Sequence, residues 1–532
     1  MGWHQILCLL CFHFCLHSSL RFALPLCPPD QRDALLHFKN SFVFDGKASD
    51  PYYWYSSDSH YQEPYLVKSY PKTNSWYNGM DCCSWDNAAC DGATSNVIGL
   101  ILTCSWLRGT LHSNGSLFLL RHLRNLNLSH NDFSGSQISS NLSAFATLTH
   151  LNLFGSSFLG LQGPLPRSLV KCVNLSTLDL NHNEFSDIFR HWLKASQLYT
   201  LDLQSNKFYG RINLTTFGLS FPTLQNLFIS NNNFIGQWPT EFFSNTSLGI
   251  IDLSDKKFGG PIPLPSLVTY YYSIASNNIT KKIPSLICNA TRLKIIDLSN
   301  NSLTGSLPQC LTNFSIDLLV LNLRMIHLEG TIPEYFSSRS LKVLVLRSNN
   351  LKNLLDNPRG AHLFPKLHIL DLPNNSFSGP LPTNLIMKLK GMMNGENVQD
   401  TSMYMTRSFL RRTYENLVAM MMKGLEVELV RILIFLIIID LSYNLGCNSF
   451  QGNIPKVIGH LHFLVGLNLS HNYLTGHESW FKQKTVWIGY AFGIIIGISI
   501  AYVGFEMGRP KWLMQGVGIL ESGAVEWMEK SK

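Results

Sequence analysis

Five aspartates sit at the centre of L-D-L triplets: Asp179, Asp202, Asp252, Asp297 and Asp371. Carboxylates that share a site can exchange protons as acid and base, or bind a divalent cation. Because they alternate with leucines, we expect them to face solvent on one side of a sheet. They also recur with the period of those leucines, so the simpler interpretation is that they belong to a structural repeat.

The other reactive residue types form no recognised site. H-E-x-x-H, G-x-S-x-G, G-x-G-x-x-G and phosphate-loop motifs are absent, and the 18 histidines are scattered. Cys82, Cys83 and Cys90 form a cluster, but no second Cys or His pair lies near enough for zinc. The cluster therefore predicts disulfides in an oxidising compartment. We expect no catalytic, metal or cofactor site, and no enzyme.

Composition narrows the class of protein. The 532 residues carry a net charge of +8, with 14% charged and 45% hydrophobic residues. No run of five Lys or Arg occurs, which argues against a nucleic-acid partner. The balance is apolar for a soluble protein but too polar for a bundle of membrane helices.

One pattern recurs from residue 97 onward: L-x-x-L-x-L-x-x-N-x-F/L-x-G, often followed by x-I/L-P. Its second leucine recurs every 21 to 27 residues apart from two longer gaps. The positions are Leu100, Leu126, Leu151, Leu178, Leu201, Leu227, Ile251, Tyr272, Ile296, Leu321, Leu344, Leu370, Ile439 and Leu467. Fourteen units at this period predict an α/β repeat fold, a right-handed leucine-rich-repeat solenoid with a parallel sheet on its concave face.

Each part of the unit has a physical role. The L-x-L segment is a short strand whose leucines stack into a continuous core. The asparagine amide can bond to backbone groups of adjacent coils. We expect this role for Asn131, Asn183, Asn206, Asn232, Asn301, Asn349, Asn375, Asn444 and Asn472. Ser156, Lys256 and Ile326 replace the asparagine in three units, and the unit Tyr270–Ile279 is degenerate.

The positions between the leucines vary freely, which suits a ligand-binding surface on the concave face. We expect ligand contacts from Arg124, Asn125, Asn127, Tyr199, Thr200 and Asp202.

Both ends of the chain carry apolar segments. The pattern of residues 1–26 predicts a secretory signal peptide, and the alternative is an uncleaved anchor helix. Residues 485–505 contain no charge and predict one transmembrane helix. Four small residues share one face of that helix and suit helix pairing, although glycine is also common in membrane helices. They are Gly489, Gly493, Gly497 and Ala501.

Twelve N-x-S/T sequons predict a secreted glycoprotein in which most, but not all, are used. They are Asn114, Asn127, Asn141, Asn174, Asn213, Asn245, Asn278, Asn289, Asn300, Asn313, Asn374 and Asn468.

The chain resembles plant leucine-rich-repeat receptor-like proteins, a kinase-less class that includes immune receptors. The resemblance lies in two N-terminal segments, Cys27–Phe42 and Asp81–Cys90, and in the x-I/L-P tail of the repeat. The resemblance implies disulfides Cys27–Cys82 and Cys83–Cys90. It also implies a cap (27–96), repeats (97–383), a non-repeat island (384–431), further repeats (432–476), a juxtamembrane segment (477–484) and a short cytoplasmic tail (506–532). A disordered linker is the alternative for the island. The pairing of Cys104, Cys172, Cys288, Cys310 and Cys447 stays open.

The resemblance implies a single-pass type I receptor of the plasma membrane. It would bind an extracellular peptide, protein or glycan and signal through a membrane-spanning receptor kinase, in plant defence. A developmental peptide receptor and a secreted inhibitor of cell-wall-degrading enzymes are the alternatives.

A further hypothesis is a shortened, non-functional member of the family. Removing residues 445–448 would restore a regular repeat, and the last repeat runs into the membrane segment without a C-terminal cap.

Overall fold

In the computed structural model, the structure describes residues 26–49, 52–55, 65–112, 114–155, 160–188, 195–255, 257–313, 318–332, 340–352, 364–394, 418–422, 425–429, 437–442, 448–461, 464 and 466–475. The chain divides into two compact units. The first comprises Met1–Asp50, Ser69–Thr200 and Thr215–Thr223, and the second Pro51–Lys68, Leu201–Leu214 and Leu224–Lys532.

The first unit begins with a cap. The helix Pro29–Asn40 starts on prolines, which are tolerated where backbone N–H groups have no helical partner, and it buries Ala34, Leu35 and Phe38. The strand Ala88–Cys90 pairs antiparallel with the first repeat strand, Val97–Ile101. Parallel strands then follow at Asn125–Asn127, His150–Asn152 and Thr177–Asp179. The cap thus covers the edge of the repeat sheet.

The second unit continues the same design, and its strands from Asn226 onward pair in parallel. The strand Thr200–Asp202 belongs to the second unit from Leu201 onward. The other main-sheet strands of this unit are Asn226–Phe228, Ile250–Asp252, Tyr271–Ser273, Ile295–Asp297, Val320–Asn322, Val343–Val345, Ile369–Asp371, Ile438–Asp440 and Gly466–Asn468.

The central residue of every repeat strand occupies the predicted position in the core. Thirteen of the fourteen, from Leu100 to Ile439, are at most 5% exposed. Tyr272 is fully buried in a leucine position, and its hydroxyl donates to the Pro263 carbonyl. Leu467, in the last strand, is 40% exposed. Burying each such side chain contributes about 1.5–3 kcal/mol, so the stacked column stabilises each unit.

The other strands and turns lie outside the main sheet. The remaining strands are Val43–Phe44, Tyr52–Tyr55, Tyr65–Lys68, Leu107–Arg108, Gln162–Gly163, Glu184–Phe185, Tyr209–Arg211, Asn233–Gln237, Lys257–Gly260, Asn278–Lys282, Ser302–Thr304, Glu329–Thr331, Asn350–Lys352, Ser378–Gly379, Val418–Met422, Leu425–Leu429, Ser449–Asn453 and Tyr473–Thr475. Single 3-10 turns lie at Gly46–Ala48, Lys72–Ser75, Cys82–Ser84, Ser116–Leu119, Ser140–Ala144, Arg167–Lys171, Ser285–Asn289, Gln309–Asn313 and Lys456–His460. The other helices are Leu214–Ser220, Thr383–Ile386 and Lys390–Asn394.

The asparagine ladder is built as the sequence predicts. The Asn301 amide accepts from Ile279 N at 3.0 Å and donates to the carbonyls of Ile274, Leu298 and Ser299 at 2.9–3.1 Å. Each such asparagine satisfies several backbone groups that would otherwise be buried without partners.

Two ladder positions differ from the prediction. Asn277 makes the same set of bonds in the unit that we expected to be degenerate, because Tyr272 fills the place of leucine without disturbing the turn. Asn448 takes the place that we assigned to Asn444, bonding to Leu372 O and Phe377 N. The extra residues of this repeat therefore fall among 443–447, outside the described residues.

The stretch predicted as an island contains no repeat coil among its described residues. It has the two short helices Thr383–Ile386 and Lys390–Asn394 and an antiparallel hairpin, Val418–Met422 with Leu425–Leu429. The first repeat strand after it, Ile438–Asp440, is buried and pairs with Ile369–Asp371. The main sheet of the second unit thus continues across an interval of more than 60 residues.

Candidate ligand-binding surface

The candidate surface is the outer face of the main sheet. We define this face by three positions in each repeat: the residue that precedes the strand, and the residues immediately before and after the central strand residue. In the first unit, this face keeps exposed polar side chains. Arg124 is exposed and lies 3.5 Å from an Asp91 oxygen, Tyr199 is 44% exposed, and His150 is exposed. This combination of a cation, an aromatic ring and an imidazole offers ionic, stacking and hydrogen-bonding contacts.

Three of the six predicted contact residues are not accessible. Asn127 is buried and accepts hydrogen bonds from the N–H and hydroxyl of Ser129. Thr200 and Asp202 are also buried, and Asp202 accepts from Gln204 N at 3.0 Å. Asn125 is half-buried, so Arg124 and Tyr199 alone of the six are exposed.

The expectation that the L-D-L aspartates face solvent is wrong. All five are buried. In four of them it accepts from the backbone N–H two residues later, as Asp252 does from Ser254 at 3.0 Å. In these four residues the local bond makes the aspartate a turn element of the repeat.

In the second unit most positions just before the central strand residue are apolar and buried. One column, just before each central strand residue, runs through Ile250, Tyr271, Ile295, Val320, Val343, Ile369 and Ile438, joined by Phe228 and Val345. Tyr270 and Leu319 pack against it. We did not predict this column from the sequence, although a β-branched or aromatic residue stands before most of the central residues. The exposed polar set Arg124, His150 and Tyr199 belongs to the first unit.

One ionic cluster lies on the same face of the second unit. Arg347 contacts Asp371 at 3.1 Å and Asp440 at 3.3 Å, and all three are buried. Burial raises the pKa of Asp371 to about 7; Arg347 opposes this shift and Asp440 adds to it. Burial likewise raises the pKa of Asp297, against hydrogen bonds from Ser299.

The cysteines of the cap form disulfides, as the resemblance implies. Cys27 pairs with Cys82 and Cys83 with Cys90, with Cα–Cα distances of 5.6 and 5.5 Å. Asp81 lies among them and is the only other potential metal ligand of the group, but it accepts from the Cys27 and Cys83 N–H groups. With the sulfurs in disulfides, this cluster offers no thiolate to a metal.

A third disulfide links successive coils of the second unit. Cys288 is the fourth residue of the turn Ser285–Asn289 and Cys310 the second of the turn Gln309–Asn313, and their Cα–Cα distance is 6.1 Å. Their pairing was left open by the sequence. Cys172 is a buried residue whose pKa is raised to about 11 by burial, so its thiol is unreactive.

Most sequons lie where an oligosaccharide can be attached. Eight are exposed: Asn114, Asn141, Asn174, Asn213, Asn245, Asn278, Asn289 and Asn300. Asn374 and Asn468 are half-buried, and the side chain of Asn313 lies outside the described residues. Asn127 is the sequon on the outer face of the first unit, and it is buried. None of the eight exposed sequons therefore occupies a position of that face.

No helix in the described part of the chain is long and apolar enough to cross a membrane. The predicted transmembrane segment (485–505), with Gly489, Gly493, Gly497 and Ala501, lies outside the described residues, as does the predicted signal peptide apart from Leu26.

Known proteins share this repeat. The family model for the leucine-rich repeat matches residues 122–144 and 292–314. Receptor-like protein 6 of Arabidopsis thaliana is 35% identical over 273 residues, which are 44% of this chain and 26% of that protein. Receptor-like protein 35 of Arabidopsis thaliana is 34% identical over 366 residues, or 67% of this chain and 37% of that protein. This chain is a relative of the plant receptor-like proteins.

The chain spans well under half the length of these receptor-like proteins. Receptor-like protein Cf-9 of Solanum pimpinellifolium is 43% identical over 142 residues, which cover 26% of this chain and 16% of that protein. Among solved structures, the Arabidopsis receptor kinase HAESA, in complex with the peptide hormone IDA and the co-receptor SERK1, is 25% identical with a TM-score of 0.59. That match covers 84% of this chain and 66% of that chain.

Proposed function

We propose that this chain is a cell-surface receptor-like protein that binds an extracellular ligand on the outer face of its first unit and signals through a partner receptor kinase. The observation that carries the proposal is the exposed polar set Arg124, His150 and Tyr199 on the repeat sheet, at positions that are not sequons. A rigid scaffold with accessible, varied side chains suits recognition. The relatives are receptor-like proteins, and the proposed role is binding, not catalysis.

The membrane part of the proposal rests on the sequence. Residues 485–505 would anchor the protein, and residues 1–26 would direct the repeats outside the cell. The four-residue spacing of Gly489, Gly493 and Gly497 suits close approach by the membrane helix of the partner kinase. Microsomes from leaf cells that express the tagged protein should retain it after a carbonate wash. Recovery in the soluble cell-wall fraction would favour the secreted-inhibitor alternative.

Plant defence is the proposed context, because the class of receptor-like proteins that this chain resembles includes immune receptors. The second candidate is a developmental peptide receptor, which the likeness to HAESA bound to a peptide hormone favours. Leaves that express the chain would be infiltrated with fungal culture filtrates or with synthetic secreted plant peptides. An oxidative burst with filtrates alone would support defence, and a response to peptides alone would support the developmental role.

The ligand surface is tested with matched variants. Arg124→Glu and Tyr199→Ala should each lower the response at least tenfold without changing the amount of protein at the membrane. Arg121→Glu and Tyr209→Ala are the controls, since both residues are exposed but neither occupies a position of the outer face as defined above. Loss of response in the controls, with none in the test variants, would move the site elsewhere.

A further inference from the structure

Arg347 joins repeat strands that lie on the two sides of the 384–431 stretch. Its guanidinium contacts Asp371, on the last strand before that stretch, and Asp440, on the first strand after it. Asp371 and Asp440 are register partners on adjacent parallel strands. The three side chains thus form one buried cluster that bridges 93 residues of sequence.

The charges of this cluster do not balance. Two carboxylates face one guanidinium, and burial makes an unneutralised charge costly. Asp440 also accepts from Ser442 N at 3.0 Å. Asp371 lacks the corresponding bond because Pro373, two residues later, has no N–H. Its Oδ2 oxygen consequently has no hydrogen-bond partner, although the residue is fully buried.

The neighbouring strands supply no further compensation. Arg324, two coils earlier, is the other cation that acts on Asp371, and it acts only through its longer-range field. Lys342 is half-buried before the strand Val343–Val345, and His368 directs its Nδ1 to the Lys366 carbonyl. The following strand, Gly466–Asn468, brings no charged residue.

We propose that Arg347, Asp371 and Asp440 form a proton-dependent clasp that holds the repeats after the 384–431 stretch against those before it. A proton on the free Oδ2 of Asp371 gives the cluster one positive and one negative charge. Loss of that proton leaves one uncompensated negative charge at the seam, so Asp371 and Asp440 repel each other and the two strands separate more readily.

The direction of the pH effect follows from burial. The pKa of Asp371 is raised to about 7 in the folded protein, above the value of about 4 for an exposed carboxyl. The unfolded state therefore releases this proton first. The contribution of the clasp is fully present below about pH 4 and is lost as the pH rises through 7. This inference does not depend on the proposed function.

Hydrogen exchange of the purified full-length protein in detergent micelles tests the clasp. Protection factors, corrected for the chemical exchange rate, would be measured at pH 5 and pH 8 for peptides that cover 438–441 and 466–469. We expect protection to fall at least fivefold at pH 8. Asp371→Asn should remove this pH dependence, whereas Asp202→Asn, at an equivalent buried position that makes its own turn bond, should leave it unchanged.

A second variant, Asp440→Asn, tests the clasp independently in case Asp371→Asn does not fold. Asp440→Asn leaves the single pair Arg347–Asp371, so protection should stay high at pH 8. Equal protection of the wild type at both pH values would overturn the proposal. Retention of the wild-type pH dependence by the folded Asp371→Asn or Asp440→Asn protein would overturn it as well.

Discussion

Lys281 holds in one coil the left-handed backbone conformation that Gly305 holds in the next, with φ of 72° and 85° respectively. Glycine adopts this region freely, whereas for an L-residue the left-handed conformation costs about 1–2 kcal/mol of free energy. Lys281→Gly should therefore stabilise the protein by about 0.5–1 kcal/mol, after allowance for the greater freedom of glycine in the unfolded chain. The midpoint of thermal unfolding should rise.

The reciprocal change supplies the control. A Cβ added at Gly305 would lie 2.9 Å from Cγ of Lys282, in addition to the strained φ. Gly305→Ala should therefore destabilise by more than about 1 kcal/mol. If both variants melt with the wild type, the left-handed turn carries no energetic significance in this fold.

Ladder asparagines should be among the most sensitive polar positions. Asn277→Ala removes one acceptor and three donor contacts to backbone groups, most of them buried. Each group left without a partner costs about 1–3 kcal/mol, so we expect a loss above about 3 kcal/mol in urea unfolding. Asn231→Ala, at a turn position with φ of 52° whose side chain makes one exposed bond to Ser205, should cost less, about 1–2 kcal/mol, because alanine is less favourable than asparagine in this backbone conformation. Similar losses for the two variants would contradict the ladder argument.

The sequence predicts the repeat well because the burial of leucine and the geometry of asparagine are local and periodic. It identified all fourteen central positions, including Tyr272, where size and apolarity matter more than residue type. It failed for the aspartates, since a side chain that follows the strand alternation can still fold back onto a nearby N–H, as Asp252 does. It also missed the ion cluster of Asp371, which depends on residues from three coils.

Glycan mapping should separate the buried sequon from the exposed ones. Asn127 should carry no glycan because its side chain is enclosed by Ser129 and the sheet. Asn141→Gln should remove one glycan and increase electrophoretic mobility by one step, since Asn141 is exposed. Asn127→Asp preserves the acceptor oxygen and should leave the mobility unchanged. A glycopeptide that contains modified Asn127 would contradict the described orientation of this strand.

The last strand should tolerate truncation better than the interior. Leu467 is 40% exposed, whereas Leu344 at the equivalent position is 2% exposed. Leu344→Ala should cost about 2–5 kcal/mol because it opens a cavity, and Leu467→Ala under about 1.5 kcal/mol. Chemical unfolding of both variants tests this. An equally large loss for Leu467→Ala would indicate that another part of the chain, or a partner, covers this end.

The Cys288–Cys310 disulfide closes a covalent ring around residues 289–309. A protease that cuts the backbone within this ring opens the loop but leaves both pieces joined through sulfur. The cleaved protein would therefore migrate as one species on a non-reducing gel and as two once a reductant is added. Backbone cleavage in that coil would therefore separate the two fragments only under reducing conditions.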